Sequence, residues 1–258
     1  MRTAFAALVL AAATAHAQVA PVSPPAAALR VILVGDSTTA TKSGYGDALC
    51  ARFKPEVSCL NLAKGGRSTK SFRAEGLWDQ VMALLRDRQP GRLDLVLMQF
   101  GHNDQPGKPG RSTDLRTEFP ANLARYIDDV APTGARLVML TPLTRRGFDA
   151  QGTLDNALRP WAEATLRVGA ERGIPVIDLN ALSHAAVQAM GETEADTLAM
   201  APKPVNAPAQ GASAPERAGA ANPVFDRTHL GAKGAQVFSS MVAGQLTVAM
   251  PELSRWMR

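Results

Sequence analysis

Three short segments of this 258-residue chain carry the side chains that acyl transfer by a serine requires. Gly35-Asp36-Ser37 offers a hydroxyl, Gly101-His102-Asn103-Asp104 an amide and an imidazole, and Asp226-Arg227-Thr228-His229 a carboxylate close before a second imidazole. Such a reaction needs a nucleophile, a base oriented by a third group, and donors for the oxyanion. Gly-Asp-Ser is also an ordinary turn sequence, so Ser37 is a candidate nucleophile only if the other groups reach it.

Asp226 and His229 form the better candidate for the base and its orienting group. At this spacing a turn can bring the carboxylate to the imidazole Nδ1, so that Nε2 accepts the serine proton. In the alternative interpretation, Asp226 caps the following helix and His229 is a surface residue. His102 is the other possible base, whereas His184 lies in an amphipathic stretch and is interpreted as an ordinary helix residue.

Oxyanion donors are available in two of the segments and in one further loop. The side-chain amide of Asn103 can donate to a developing negative charge. In Gly65-Gly66-Arg67-Ser68 a glycine lets a backbone N–H approach the reacting carbonyl closely, and we assign this role to Gly66. The backbone N–H of Ser37 completes the predicted oxyanion hole. Alternatively, these residues only form turns.

The elements that must position these groups alternate between short apolar runs and stretches of helical spacing. Strands are predicted at residues 30–34, 57–62, 93–100, 136–141 and 174–179. Helices are predicted at residues 45–54, 76–88, 117–130 and 155–172, with a last one from Gly231 or Ala232 to about Val248. We therefore predict an α/β fold, a doubly wound, flavodoxin-like three-layer α/β/α sandwich with a mostly parallel five-stranded sheet. Its carboxyl edge is where ligands bind.

The first residues are typical of a secretory signal peptide, predicted to span residues 1–17. Arg2 precedes a short apolar stretch that ends in Ala15-His16-Ala17. We expect export to the periplasm or the exterior without stable membrane association, since no later run approaches a spanning length. Residues 18–29 are interpreted as a flexible lead-in and residues 30–258 as one domain, with an Ala- and Pro-rich insertion near 201–223.

The formal net charge is +5, which is compatible with an acidic partner. Nucleic acid is not an expected partner, because the basic residues are scattered and no recognition motif is present. An anionic polysaccharide suits an exported protein better. The two cysteines, Cys50 and Cys59, either form one disulfide in an oxidising compartment or remain buried thiols.

The motifs occur in the order found in the SGNH (GDSL-like) hydrolases, which the chain resembles over residues 31–235. Ser37 matches the block I serine, Gly66 the block II glycine and Asn103 the block III asparagine, while Asp226 and His229 match the block V Asp-x-x-His. The resemblance implies a serine esterase of the SGNH fold that forms an acyl-enzyme intermediate and needs neither a metal nor another cofactor.

Within this superfamily the chain looks most like the rhamnogalacturonan acetylesterases. The match rests on residues 35–40, 66–72, 100–104, 141–146 and 177–180. It implies removal of O-acetyl groups from an acetylated plant cell-wall polysaccharide or oligosaccharide, with rhamnogalacturonan (pectin) as the first expectation. An acetylxylan esterase, a lipase or a thioesterase of the same superfamily remain alternatives.

Basic residues on loops that leave the predicted strands are candidates for substrate binding. They are Arg67, Lys70, Arg145 and Arg146. Such side chains can pair with uronate carboxylates, although solvated surface charge is an equally simple interpretation. Trp78 and Trp161 can stack on sugar rings, but their helical spacing favours the core.

Two other classes of protein are alternatives to an esterase. A metal-dependent phosphoesterase could use Asp36, His102, Asp104, Asp226 and His229 as ligands, but the order of residues in Gly-His-Asn-Asp does not fit such enzymes. A non-catalytic glycan-binding module would not need a complete set of nucleophile, base and oxyanion donors.

Overall fold

The computed structural model describes residues 29–204 and 225–258. Its strands are β1 (Leu29–Gly35), β2 (Ser58–Asn61), β3 (Leu93–Gln99), β4 (Arg136–Leu140) and β5 (Val176–Ile177). Its helices are α1 (Gly46–Cys50), α2 (Ser71–Ala74), α3 (Leu77–Arg86), α4 (Glu118–Val130), α5 (Arg159–Arg172), α6 (Leu179–Asp196) and α7 (Ala232–Ala249), with 3-10 turns at Ala131–Thr133 and Pro251–Trp256. The predicted signal peptide, residues 18–28 of the lead-in and residues 205–223 of the insertion lie outside the described residues.

The five strands form one parallel sheet in the order β2-β1-β3-β4-β5. This confirms the predicted three-layer α/β fold. β1 is apolar and buried along its length because both faces of the sheet are covered. Val31 and Leu33 pack in the core that contains α6 and α7, and Ile32 and Val34 in the core that contains α3, α4 and α5. Alternation of side chains along one strand thus joins the two layers of helices.

Most predicted elements are present, and the largest difference follows β5. The predicted strand 174–179 is reduced to Val176–Ile177, because the carboxylate of Asp178 accepts a hydrogen bond from the backbone N–H of Ala181 and caps α6. Helix α6 extends well beyond the amphipathic stretch recognised around His184. In the described part of the chain, no helix is both long and apolar enough to cross a membrane.

A disulfide between Cys50 and Cys59 connects the end of α1 to β2, with the Cα atoms 5.4 Å apart. The sequence left this bond open because spacing alone does not reveal the geometry that a disulfide needs. The bond attaches the helix that follows the Ser37 loop to the edge of the sheet.

Trp78 and Trp161 belong to the core. The ring of Trp78 meets Tyr126 edge to face at a centroid distance of 4.7 Å, and that of Trp161 meets Phe119 at 4.8 Å. Neither indole is therefore placed to stack on a sugar, in agreement with their helical spacing.

Candidate active site

Ser37 lies directly beyond the carboxyl end of β1, at the edge where β2, β3 and β4 also end. Its side chain is almost completely buried, and its Oγ makes no hydrogen bond to the described residues. A Cβ on Gly65 would lie 3.7 Å from the Ser37 Cβ, so the backbone of the loop after β2 passes beside the serine. This places the hydroxyl next to the loop in which Gly66 was predicted to be an oxyanion donor.

A buried chain of hydrogen bonds fixes the turn that carries Ser37. Asp36 Oδ1 accepts from both the backbone N–H and the hydroxyl of Thr38, at 2.9 and 2.8 Å. The Thr38 hydroxyl accepts from Gln99 Nε2 at 2.6 Å, and Gln99 Oε1 accepts from the Tyr45 hydroxyl at 2.7 Å. The turn after β1 is therefore connected through polar side chains to β3 and to the residue before α1.

His102 pairs with Asp36, whereas the carboxylate of Asp226 pairs with His229. The Nδ1 of His102 lies 3.3 Å from Asp36 Oδ2, and both residues are fully buried. Burial alone would raise the pKa of Asp36, but the attraction of His102 and the hydrogen bonds from Thr38 outweigh it and lower that pKa. The sequence did not reveal this pairing, because Asp36 and His102 belong to different loops.

Asp226 and His229 form the predicted pair within one turn before α7. The carboxylate Oδ2 lies 2.9 Å from His229 Nδ1, and Oδ1 accepts from the backbone N–H groups of Thr228 and His229 at 2.7 and 2.6 Å. Burial alone would raise the pKa of Asp226, but these bonds lower it overall. An ionised Asp226 at this distance favours the tautomer with the proton on Nδ1, which leaves Nε2 able to accept a proton.

Ser43 connects the turn of His229 to the loop of Ser37. Its backbone carbonyl accepts from the N–H of Leu230 at 2.9 Å, and its hydroxyl donates to the carbonyl of Ser37 at 2.7 Å. Ser43, in the β1–α1 loop, thus contacts the backbone of Ser37 and the backbone of the residue that follows His229. No sequence motif pointed to Ser43.

Arg146 lies beneath this turn rather than on the rim of the cleft, which corrects the expectation that it binds substrate. Its guanidinium is fully buried and donates to the backbone carbonyls of Asp226, Thr228 and His229 at 3.0, 3.3 and 2.8 Å. Its backbone N–H donates to the carbonyl of Arg227 at 2.8 Å. Burial lowers the pKa of Arg146 to about 10, so the side chain remains charged at neutral pH. Its Nη1 and Nη2 donors are directed to the turn, and burial keeps the whole side chain from a carboxylate in solution.

The other three basic candidates lie at the surface with protein partners. Arg67 pairs with Glu75 at 2.7 Å, Lys70 with Glu118 at 2.9 Å, and Arg145 donates to Gln105 Oε1 at 2.7 Å. Arg67 also donates to the carbonyl of Gly65 at 2.7 Å, which holds it next to the loop beside Ser37.

Asn103 lies against the loop that follows β2. Its Nδ2 donates to the carbonyl of Arg67 at 3.1 Å, and its Oδ1 accepts from Arg111 Nη1 at 3.1 Å. Gly66 has φ +78°, a left-handed conformation that favours glycine, and its carbonyl accepts from the same Arg111 nitrogen at 3.3 Å. Arg111 belongs to no motif that sequence analysis singled out.

Asp104 attaches the loop after β3 to the loop after β2. Its carboxyl accepts from the backbone N–H of Thr69 at 3.1 Å, from the Thr69 hydroxyl at 2.5 Å and from the Thr113 hydroxyl at 3.2 Å. Burial raises the pKa of Asp104 to about 7, although the bonds from Thr69 and Thr113 act in the opposite direction. The residue after Asn103 therefore positions the loops instead of facing the cleft.

The candidate metal ligands do not converge. Asp36 pairs with His102, Asp226 pairs with His229, and Asp104 contacts threonines. Within the described ranges, no group of three or more His, Cys, Asp or Glu side chains could hold a metal ion. The arrangement offers instead an unpartnered serine hydroxyl, an oriented imidazole and an amide on one edge of the sheet.

Asp104 predicts a specific dependence of stability on pH. Its pKa is raised on folding from 3.8 to about 7, so the folded state keeps a proton that the unfolded state loses first. The contribution of Asp104 to the free energy of unfolding is present below pH 4 and is lost as the pH rises to about 7. We expect the difference in unfolding free energy between wild type and Asp104→Asn to fall by a few kcal/mol across this interval, measured by urea unfolding.

Asp114→Asn is a control of opposite sign. Hydrogen bonds from Thr117 and Arg116 lower the pKa of Asp114, so its contribution is lost as the pH falls. A difference between wild type and Asp104→Asn that is constant from pH 4 to 7, or rises with pH, would contradict the buried protonated carboxyl.

Comparison with known proteins agrees with this geometry. The family model described as GDSL-like lipase/acylhydrolase matches residues 33–237. The chain is 33% identical over 222 residues to the rhamnogalacturonan acetylesterase RhgT of Bacillus subtilis, covering 83% of this chain and 88% of that protein.

Two solved structures show the same fold. The protein YxiM of Bacillus subtilis superposes with a TM-score of 0.65 at 25% identity; the match covers 85% of this chain and 56% of that one, so this chain spans little more than half of its length. Axe2, an acetylxylan esterase from Geobacillus stearothermophilus, superposes with a TM-score of 0.59 at 15% identity over 84% of this chain and 93% of that one. The family match extends from β1 into α7 and includes every segment of the candidate site, and the chain belongs to the GDSL-like lipase/acylhydrolase family of carboxylic ester hydrolases.

Proposed function

We propose that this esterase removes O-acetyl groups from an acidic plant cell-wall polysaccharide, with rhamnogalacturonan as the preferred substrate, and that Ser37, His229 and Asp226 carry out the reaction. The observation that carries the catalytic part is the 2.9 Å contact between Asp226 and His229 in a turn that Ser43 connects to the Ser37 loop. An imidazole oriented by a carboxylate, on a turn connected to a serine whose hydroxyl has no hydrogen-bond partner among the described residues, supplies the groups that nucleophilic catalysis requires.

In the proposed reaction, His229 Nε2 takes the hydroxyl proton as Ser37 Oγ attacks the acetyl carbonyl carbon. The negative charge that develops on the carbonyl oxygen is stabilised by the backbone N–H groups of Ser37 and Gly66 and by the amide of Asn103. The intermediate then releases the sugar hydroxyl, which receives the proton from His229, and leaves an acetyl-serine. Water activated by the same imidazole attacks the acetyl carbonyl carbon, and cleavage of the ester bond releases acetate while Ser37 Oγ regains its proton from His229.

The substrate proposal rests on similarity and on charge. RhgT is a rhamnogalacturonan acetylesterase and matches this chain over most of both lengths. Arg67, Lys70 and Arg145 place positive charge on the loops around the site, and Arg67 in particular adjoins Gly65. Arginine recognises carboxylates well because its planar fork can donate two parallel hydrogen bonds, and the fork of Arg67 donates from Nε and Nη2 to Glu75, with which a uronate would compete.

Loss of the nucleophile tests the mechanism. We expect Ser37→Ala to keep the fold and to lower kcat on 4-nitrophenyl acetate by several orders of magnitude. His229→Ala should cost about as much, and the double variant no more than either single one, because the residues act as a unit. A stopped assay on denatured protein should detect an acetylated serine only in the chain that retains Ser37. Near-native turnover in Ser37→Ala, or greater damage from His102→Ala than from His229→Ala, would contradict these roles.

A substitution of Arg146 tests whether kcat depends on the exact position of the turn that carries Asp226 and His229. Arg146→Lys keeps a buried charge, but one ammonium cannot donate to all three carbonyls of the turn in the same geometry. Since a displacement of about 1 Å can cost about 100-fold in rate, we expect kcat to fall roughly 10- to 100-fold.

Arg30→Lys is the matched control. Arg30 is also buried and donates to a backbone carbonyl, that of Leu84 at 2.6 Å, but it lies at the opposite edge of the sheet. Both variants should unfold at lower temperature, whereas only Arg146→Lys should lose turnover in the folded state. Equal kcat in the two variants would show that the contacts of Arg146 serve stability alone.

Salt dependence tests the charge of the substrate. Attraction between exposed charges is screened over about 10 Å at 0.1 M ionic strength, so kcat/KM on acetylated rhamnogalacturonan should fall as salt rises. Neutral 4-nitrophenyl acetate should respond little. Acetate release from acetylated xylan, measured in parallel, supplies a neutral polysaccharide. Equal salt sensitivity on all three substrates, or a preference for xylan, would overturn the proposed substrate and leave the esterase mechanism standing.

A further inference from the structure

Arg111 contacts two of the three residues that are proposed to supply oxyanion donors, although it belongs to none of the family motifs. Its Nη1 donates to Asn103 Oδ1 at 3.1 Å and to the carbonyl of Gly66 at 3.3 Å. A single nitrogen therefore bridges the loop after β3 and the loop after β2 at the point where their donors are expected to meet.

The chemistry of these contacts determines the orientation of the Asn103 amide. A guanidinium has only donors, so the amide atom that faces Arg111 must be the oxygen. The carbonyl of Arg67 can only accept, so the atom 3.1 Å from it must be the nitrogen. The two contacts exclude the flipped amide and direct one N–H of Nδ2 to Arg67. Its second N–H remains for an oxyanion.

The loop that carries Arg111 is stabilised by hydrogen bonds between its own residues. The backbone N–H of Thr113 donates to the carbonyl of Asp104 at 2.9 Å, and the Thr113 hydroxyl donates to the Asp104 carboxyl at 3.2 Å. The Ser112 hydroxyl donates to the carbonyl of Gln105 at 2.8 Å and accepts from the backbone N–H of Lys108 at 2.8 Å. These bonds return the chain from residue 104 to residue 113 and bring the guanidinium beside Asn103.

We propose that Arg111 is a positioning residue for the oxyanion hole: it holds the Asn103 amide with its nitrogen toward the reacting carbonyl and anchors the carbonyl of Gly66 beside it. This inference rests on the proposed role of Asn103 in the reaction. A cationic donor on the amide oxygen also polarises the amide, which strengthens donation from Nδ2. The effect is therefore felt in the transition state, where the negative charge is present, more than in substrate binding.

The test is a double-mutant cycle between Arg111→Met and Asn103→Ala, with kcat and KM measured on neutral 4-nitrophenyl acetate. Removal of one oxyanion donor lowers kcat roughly 100- to 1,000-fold. We expect Arg111→Met to lower kcat about tenfold or more, with little change in KM. In the Asn103→Ala background, Arg111→Met should cost clearly less than in the wild type, because only its contact with the Gly66 carbonyl remains to be lost.

Arg116→Met is the matched control for charge. Arg116 is exposed, lies in the same segment and makes no side-chain contact with Asn103 or Gly66, so its loss should leave kcat unchanged. Arg111→Lys keeps the charge but not the planar fork and should recover only part of the loss. If Arg111→Met unfolds, this conservative variant takes its place in the cycle.

Three outcomes would overturn the inference. They are an equal loss of kcat in both backgrounds, an effect confined to KM, and wild-type kcat in the Arg111 variants. Failure of the proposed function is recognised separately: it would appear as near-native turnover in Ser37→Ala. Wild-type kcat in Asn103→Ala would remove Asn103 from the oxyanion hole and the role of Arg111 with it, while the nucleophile and base remained.

Discussion

The backbone of the turn at residues 226–230 is held from two sides, and the candidate site depends on this attachment. Arg146 occupies three of its carbonyls from below, and Ser43 accepts from the N–H of Leu230 above. Without these contacts, Asp226 and His229 would form a local pair with no defined relation to Ser37, far away in sequence. The cost of burying this guanidinium is offset in part because Nη1 and Nη2 donate to carbonyls of the turn, although Nε has no partner among the described residues.

The loops at the carboxyl edge are joined to one another by polar groups buried between them. Asp36 meets His102, Asp104 meets Thr69, and Gln99 connects Thr38 to Tyr45. Each of these groups would be costly to bury without its partner, so the loops are restricted to arrangements that keep the partners together. Such rigidity suits a site that must hold donors in place before charge develops on the substrate.

Glycines permit the close approach of these loops. Gly66 adopts a left-handed conformation beside Arg111 and Asn103. At Gly101 a Cβ would lie 2.9 Å from the side chain of Pro142, so the start of the loop after β3 packs directly on the exit from β4. A larger residue at either position would move the loop that carries a proposed oxyanion donor.

Local sequence was sufficient for the sheet, for most helices and for the family motifs. Apolar runs such as 93–100 identify strands because parallel strands are buried on both faces, and Asp226 and His229 are close enough in sequence for one turn to pair them. Arg172-Gly173 marked the end of α5, where Gly173 is left-handed. These features depend on neighbouring residues, which is why the sequence could specify them.

Contacts between segments that are distant in the chain could not be predicted from local sequence. Arg145 and Arg146 are adjacent and chemically alike, yet one is partly exposed and the other is buried beneath the turn, because β4 and the turn before α7 meet only in the folded chain. Likewise, His102 and Cys50 have partners in other loops or elements, and Arg111 reaches Gly66 in the loop after β2. The sequence by itself determined which groups were available for ester hydrolysis; the tertiary structure decided which of them face the cleft and which hold it, because burial and hydrogen-bond geometry depend on packing between segments.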